Sequence, residues 1–168
     1  MSIVNKVATS SLLSIDLEEW YPEKELMSID IADQLIEGFL LREKDFREFI
    51  KENDWSRYEG KLVALFCSTD AIIPRWAWML LSSALQKYAS IIFFGTPEAL
   101  VVEFYREKID ALDMNEYTDQ RVVIKGCSKK PVPVQAYVHI TAKLQSVVKS
   151  IFYGEPCSTV PVFKRAKA

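Results

Sequence analysis

Three cysteines punctuate the chain, and serine follows each of them: Cys67-Ser68-Thr69-Asp70, Gly126-Cys127-Ser128 and Pro156-Cys157-Ser158. Serine is only 14 of the 168 residues, so the recurring pair is not expected by chance. A thiolate is both a nucleophile and a soft metal ligand, and three chemistries are open to this set. In the first, Cys67, Cys127 and Cys157 supply three thiolates that, completed by an oxygen or an open position, suit iron, an iron–sulfur cluster or zinc. Their spacing is unlike the C-x-x-C pairs of structural zinc sites. In the second, Cys67 or Cys127 is the nucleophile of a thiol enzyme. In the third, the cysteines are small buried hydrophobes of an interaction protein. Ser68, Thr69, Asp70 and Ser128 flank the first two thiols and would orient a ligand there.

The elements around the cysteines decide which of them can meet. Lys61 to Phe66 and Arg121 to Ile124 are continuous apolar runs that read as buried strands, and Cys67 and Cys127 follow them. Ligands in open α/β sheets bind at the carboxyl ends of strands. Each cysteine leads through a polar loop to a helix opened by proline, at Pro74 and at Pro131 or Pro133. A helix N-terminus lowers a thiol pKa and attracts anions. The spacing predicts helices over Arg42 to Asn53, Pro74 to Tyr88, from Pro97 to about Leu112, and from Pro133 to about Phe152, with Gly154 as the last C-cap. Leu12 to Leu17, Ile91 to Phe94 and Thr159 to Phe163 read as further strands; Ile31 to Leu41 is ambiguous, its run Leu35 to Leu41 fitting a strand while Gly38 weakens a helix. From Lys61 onward strands and helices alternate, which argues for one α/β domain with a mixed, mainly parallel sheet and helices on both faces. Cys67 and Cys127 are then expected on one edge of one sheet. Cys157 joins them if the last strand runs antiparallel or if the Glu155-Pro156 turn doubles back. No internal repeat is evident beyond the alternation.

Other groups are less suited to chemistry. The single histidine, His139, shares a helix face with Lys143, Ser146 and Ser150, opposite the apolar stripe, and reads as a surface residue. Asp16, Glu18 and Glu19 beside Trp20 and Tyr21 read as a solvated loop after an early strand, with acid/base work as the alternative. Only five glycines are present, and none falls in a phosphate-binding pattern.

The composition bounds the partners. A net charge of −2 excludes the broad basic footprint of a nucleic-acid binder. There is no apolar run long enough for a membrane span, and Met1 to Ser14 lacks the pattern of a signal peptide. Three cysteines cannot all pair within one chain, which with no export signal predicts reduced thiols in the cytoplasm. Residues 1–11 read as a mobile segment and 12–165 as the domain. Trp76, Trp78, Met79 and Leu80 wrap more than one face of their helix, which predicts a homodimer.

Cys67-Ser68-Thr69-Asp70-Ala71-Ile72-Ile73-Pro74, Lys125-Gly126-Cys127-Ser128 and Tyr153-Gly154-Glu155-Pro156-Cys157-Ser158-Thr159-Val160-Pro161 resemble the blocks of a bacterial family known as domain of unknown function 2480. Arg42-Glu43-Lys44-Asp45-Phe46-Arg47 fits the same family, and the similarity runs from about residue 12 to 165. The resemblance implies no established activity and no catalytic residue. The association of the family's genes with iron–sulfur assembly factors implies such proteins as partners, and a cytoplasmic accessory role in metal or sulfur handling at Cys67, Cys127 and Cys157.

Overall fold

Short β-branched and aliphatic runs make seven strands among the described residues: β1 (Leu12–Asp16), β2 (Leu26–Asp30), β3 (Leu62–Phe66), β4 (Ile91–Phe94), β5 (Arg121–Lys125), β6 (Ser150–Glu155) and β7 (Ser158–Lys164). Four α-helices accompany them: α1 (Glu43–Glu52), α2 (Arg75–Leu85), α3 (Pro97–Asp110) and α4 (Val134–Gln145). This computed structural model describes residues 12–22, 25–126, 129–155 and 158–166. Residues 1–11, read from the sequence as mobile, and Cys127, Ser128 and Cys157 lie outside that set.

The α/β class and the mainly parallel pairing are those the alternation predicts. The strands, however, fall in two sheets: β2-β3-β4, all parallel, and β1-β5-β6-β7, in which only β7 is antiparallel. The expectation that β3 and β5 share one sheet is corrected. The cause lies in the N-terminal region: β5 pairs with β1 and β3 with β2, so β4 and β5 never become neighbours. The chain forms two compact units, one of Met1–Tyr21 with Val102–Ala168 and one of Pro22–Val101.

The two units are built to one plan. Each opens with a strand of sequence Leu-x-Ser-Ile-Asp, β1 ending at Asp16 and β2 at Asp30, and each Asp caps a short 3-10 turn by accepting an amide two residues on. Beyond that strand a single interval along the chain relates the remaining landmarks. It takes Asp54 to Asp113, Tyr58 to Tyr117, Pro74 to Pro133, Leu85 to Leu144 and Gly95 to Gly154. The same interval takes β3 onto β5 and the start of α2 onto that of α4. Buried Phe46, Ala77 and Leu81 answer buried Tyr105, Ala136 and Ile140. The backbone agrees: Gly60 and Asp119 both carry positive φ, 69° and 58°. The repeat escapes a reading of strand–helix alternation because the first strands are adjacent in sequence while the other parts are far apart.

Local physics sets the elements. α1 exposes an Arg47–Glu43 pair, Nε to Oε1 2.8 Å, and buries Phe46. α3 starts where Thr96 Oγ1 accepts the amide of Ala99 at 3.3 Å. α2 and α4 follow Pro74 and Pro133, both extended and without a side-chain cap. Three sequence expectations need correction. The last helix ends at Gln145, not near Phe152, because Ser150 and the β-branched and aromatic Ile151 to Tyr153 instead pair with β5 and bury Ile151. Gly154 therefore lies in a strand. Leu35 to Leu41 is neither helix nor strand but a turn closed by an isolated Ile36–Leu40 bridge. Leu26–Asp30 is a strand that the pattern alone did not reveal.

Candidate functional site

In the unit Pro22–Val101, the chemistry-bearing loop follows β3. Cys67 is its first residue, partly buried against the apolar core and free of any disulfide. Its Sγ lies 3.3 Å from Thr69 Oγ1. The loop is tied to the neighbouring strand: Asp30 Oδ1 accepts the amides of Ala32 at 2.9 Å and Ser68 at 3.0 Å. Burial alone would raise the Asp30 pKa, but hydrogen bonds from the Ser68 side chain and from the amides of Ala32 and Ser68 outweigh it and hold the carboxyl below its usual value. Cys67, Ser68, Thr69 and Asp70 are thus gathered at the carboxyl ends of β2 and β3. Ile72 of the same loop is almost wholly exposed.

In the other unit the equivalent loop follows β5, and a different acid holds it. Glu18 Oε1 accepts the amide of Lys129 at 2.6 Å and that of Lys130 at 3.3 Å. Asp16 caps its 3-10 turn and pairs with Lys125 Nζ at 3.5 Å. The sequence placed these acids in a solvated loop and missed their anchoring roles; the twofold recurrence of Ser-Ile-Asp was the available signal. Gly126, at φ 125°, permits a close approach, since a Cβ there would stand 3.0 Å from the backbone nitrogen of Glu18. Its carbonyl accepts a hydrogen bond from the Tyr137 hydroxyl. Tyr105, fully buried, donates to the carbonyl of Leu17 at 2.6 Å, and burial pushes its phenol pKa well above the ordinary value.

Beside this loop lies a cavity of about 840 Å³. Ile124 of β5, Val138 of α4, Phe152 of β6 and Val162 of β7 give it apolar walls, and Lys130, Tyr137 and Thr141 bring polar groups. Tyr137 and Tyr153 meet edge-on in its wall, centroids 5.9 Å apart and planes at 82°. Gly126 and Lys130, which bracket Cys127 and Ser128 in the chain, both line it. In the unit Pro22–Val101 the same place holds a smaller groove of about 500 Å³. Its edge-on ring pair is Trp78 and Phe94, centroids 5.0 Å apart.

His139 Nε2 lies 2.8 Å from Asp110 Oδ1 on the surface, next to Lys143, as its helical face predicted. Among the described residues no three His, Cys, Asp or Glu side chains are grouped as a metal shell, and no helix is long and apolar enough to cross a membrane.

Two units of one plan, each with an acid-anchored loop at its strand ends and an aromatic-walled groove nearby, define a duplicated α/β protein. The chain belongs to the family described as Protein of unknown function (DUF2480), whose model matches residues 1–165. No curated protein and no solved structure matches it.

Proposed function

We propose that this is a cytoplasmic accessory protein that binds a small, mainly apolar molecule in the cavity lined by Gly126, Lys130 and Tyr137. The carrying observation is the 840 Å³ cavity. It is of the size that encloses a small organic ligand, it has apolar walls with few polar groups, and it lies by the carboxyl end of β5. The anilinonaphthalene sulfonate dye tests this directly. One saturable site per chain is expected, removed by Val138→Lys with an unchanged circular dichroism spectrum. Absence of saturable binding to the wild type overturns the reading.

A second reading is favoured by Cys67, a free and partly exposed thiol at the carboxyl end of β3. Here Cys67 supplies a thiolate to iron, an iron–sulfur cluster or zinc, and the partners are iron–sulfur assembly proteins. Support comes from the three Cys-Ser blocks of the sequence. Metal per chain after anaerobic reconstitution with iron, and separately with zinc, decides it. Cys67→Ser should lose the metal, because a hydroxyl is a poor replacement for a thiolate. Stoichiometry near zero in the wild type removes it.

A further inference from the structure

The two units differ at one place that the repeat makes conspicuous. After Gly154 the chain continues through Glu155 and returns as β7, which covers the outer edge of β6 in antiparallel register from Glu155–Ser158 to Ser150–Lys164. After the equivalent Gly95 it turns at once into α3, through Thr96 and Pro97. Among the described residues β4 therefore pairs with β3 alone, and its other edge has no strand.

That edge lacks the charged side chains, proline and bulges that keep an exposed strand from pairing. β4 is Ile91-Ile92-Phe93-Phe94, with no charge, proline or bulge. β7, an edge strand of the other sheet, has Pro161, and a register irregularity at Ile151 and Phe152 where it meets β6. Proline, bulges and charge are the usual protections of a sheet edge. Beside β4 lies the groove floored by Leu65 and Ile92 and walled by Trp78 and Phe94. Phe94 is 69% exposed and Met79 70% exposed.

We propose that two copies of the chain pair through β4, antiparallel about a twofold axis, joining two three-stranded sheets into one of six strands. A second copy is the occupant that this strand fits. Antiparallel pairing is the mode already used on the equivalent strand β6. A uniformly apolar strand is also complementary to itself in any register, as an isologous interface requires. The adjoining grooves then face each other, and Met79 and Phe94 of each copy leave water along with the strand edge. The inference is independent of the ligand reading above, which concerns the other unit.

Sedimentation velocity over a range of concentrations tests the mass, and hydrogen exchange of Ile91 to Phe94 tests the surface. The expected result is a dimer that dissociates on dilution, with protection of these amides rising as the dimer forms. Phe94→Lys should shift the population to monomer, while Val138→Lys should leave it dimeric. The wild type carries the test even if Phe94→Lys misfolds. A monomer mass at every concentration overturns the proposal. So does protection of β4 that stays constant while the mass changes with concentration, which would mean that the copies meet elsewhere. A dimer that survives Phe94→Lys also overturns it.

Discussion

Asp30 reaches across from the end of β2 to Ser68, accepting its amide at 3.0 Å, and so fixes the start of the loop that carries Cys67. The same oxygen caps the turn at Ala32. One carboxylate thus joins strand end, turn and loop. Asp30→Ala removes both bonds and is expected to cost about 1–2 kcal/mol, the upper part of the range for a lost cap. Urea unfolding at neutral pH measures it.

The same carboxylate gives a pH dependence of known sign. Its folded pKa is below the unfolded value, so the ionised form is the one the folded state favours. The stabilisation is complete above the unfolded carboxyl value of about 4 and is lost as pH falls through the folded value. Asp30→Asn keeps an acceptor oxygen but no charge. The gap in stability between wild type and Asp30→Asn should therefore be constant from pH 7 to about 5 and close below about pH 4. Denaturant midpoints at a series of pH values show whether it closes.

Tyr105→Phe tests the other unit. The hydroxyl is buried and satisfies the Leu17 carbonyl, so its removal leaves an acceptor without its donor, at a cost of about 1–3 kcal/mol. Because burial raises the folded phenol pKa, the protonated form is favoured. That contribution is full below the unfolded value of about 10 and fades as pH rises beyond it. Wild type should lose stability between about pH 10 and 11 faster than Tyr105→Phe does, in thermal melts over that interval.

Much of this fold was legible because its signals are local. Phe46 on α1, the Thr96-Pro97 start of α3 and the apolar strands before Cys67 and Gly126 each announce themselves within a few residues. What was not legible depends on pairing at a distance. Val147, Val148 and Ile151 continue a helical stripe equally well, and only the presence of β5 beside them makes Ile151 a strand residue. Which sheet holds β5 is likewise decided by β1, more than a hundred residues earlier in the sequence. At the candidate site, Cys67 with Ser68 and Thr69 stands out by residue type alone, as a candidate, whereas the acids that anchor the loops, Asp30 and Glu18, act through backbone amides far along the chain.

The repeat makes a pair of glycine predictions with opposite outcomes. Gly126 occupies the position of Cys67, yet at φ 125° with backbone of Leu17 and Glu18 crowding its missing Cβ. Gly126→Ala is expected to destabilise by about 1–3 kcal/mol, the cost of a strained backbone residue. Gly60, at φ 69°, has open space around it, and its counterpart Asp119 holds φ 58° with a side chain in place. Gly60→Asn should thus change stability by less than about 1 kcal/mol, since Asn tolerates the left-handed region. Chemical denaturation of both variants checks the pair, and equal losses would mean that the two positions are not conformationally distinct.

Cys67 itself separates a reactive thiol from a packing residue. It touches the apolar core on one side and has Thr69 Oγ1 within 3.3 Å of its sulfur on the other. A core cysteine would be inert in the folded state, whereas a partly exposed one is modified without unfolding. Iodoacetamide under native conditions should label Cys67 at a rate that is independent of added low concentrations of denaturant, read by mass spectrometry of its peptide. Cys67→Ser keeps a polar atom beside Thr69 and, the site being open to solvent, should lower stability by less than about 1 kcal/mol. A larger loss, together with labelling only after unfolding, would assign Cys67 to packing and withdraw it from any metal or sulfur chemistry.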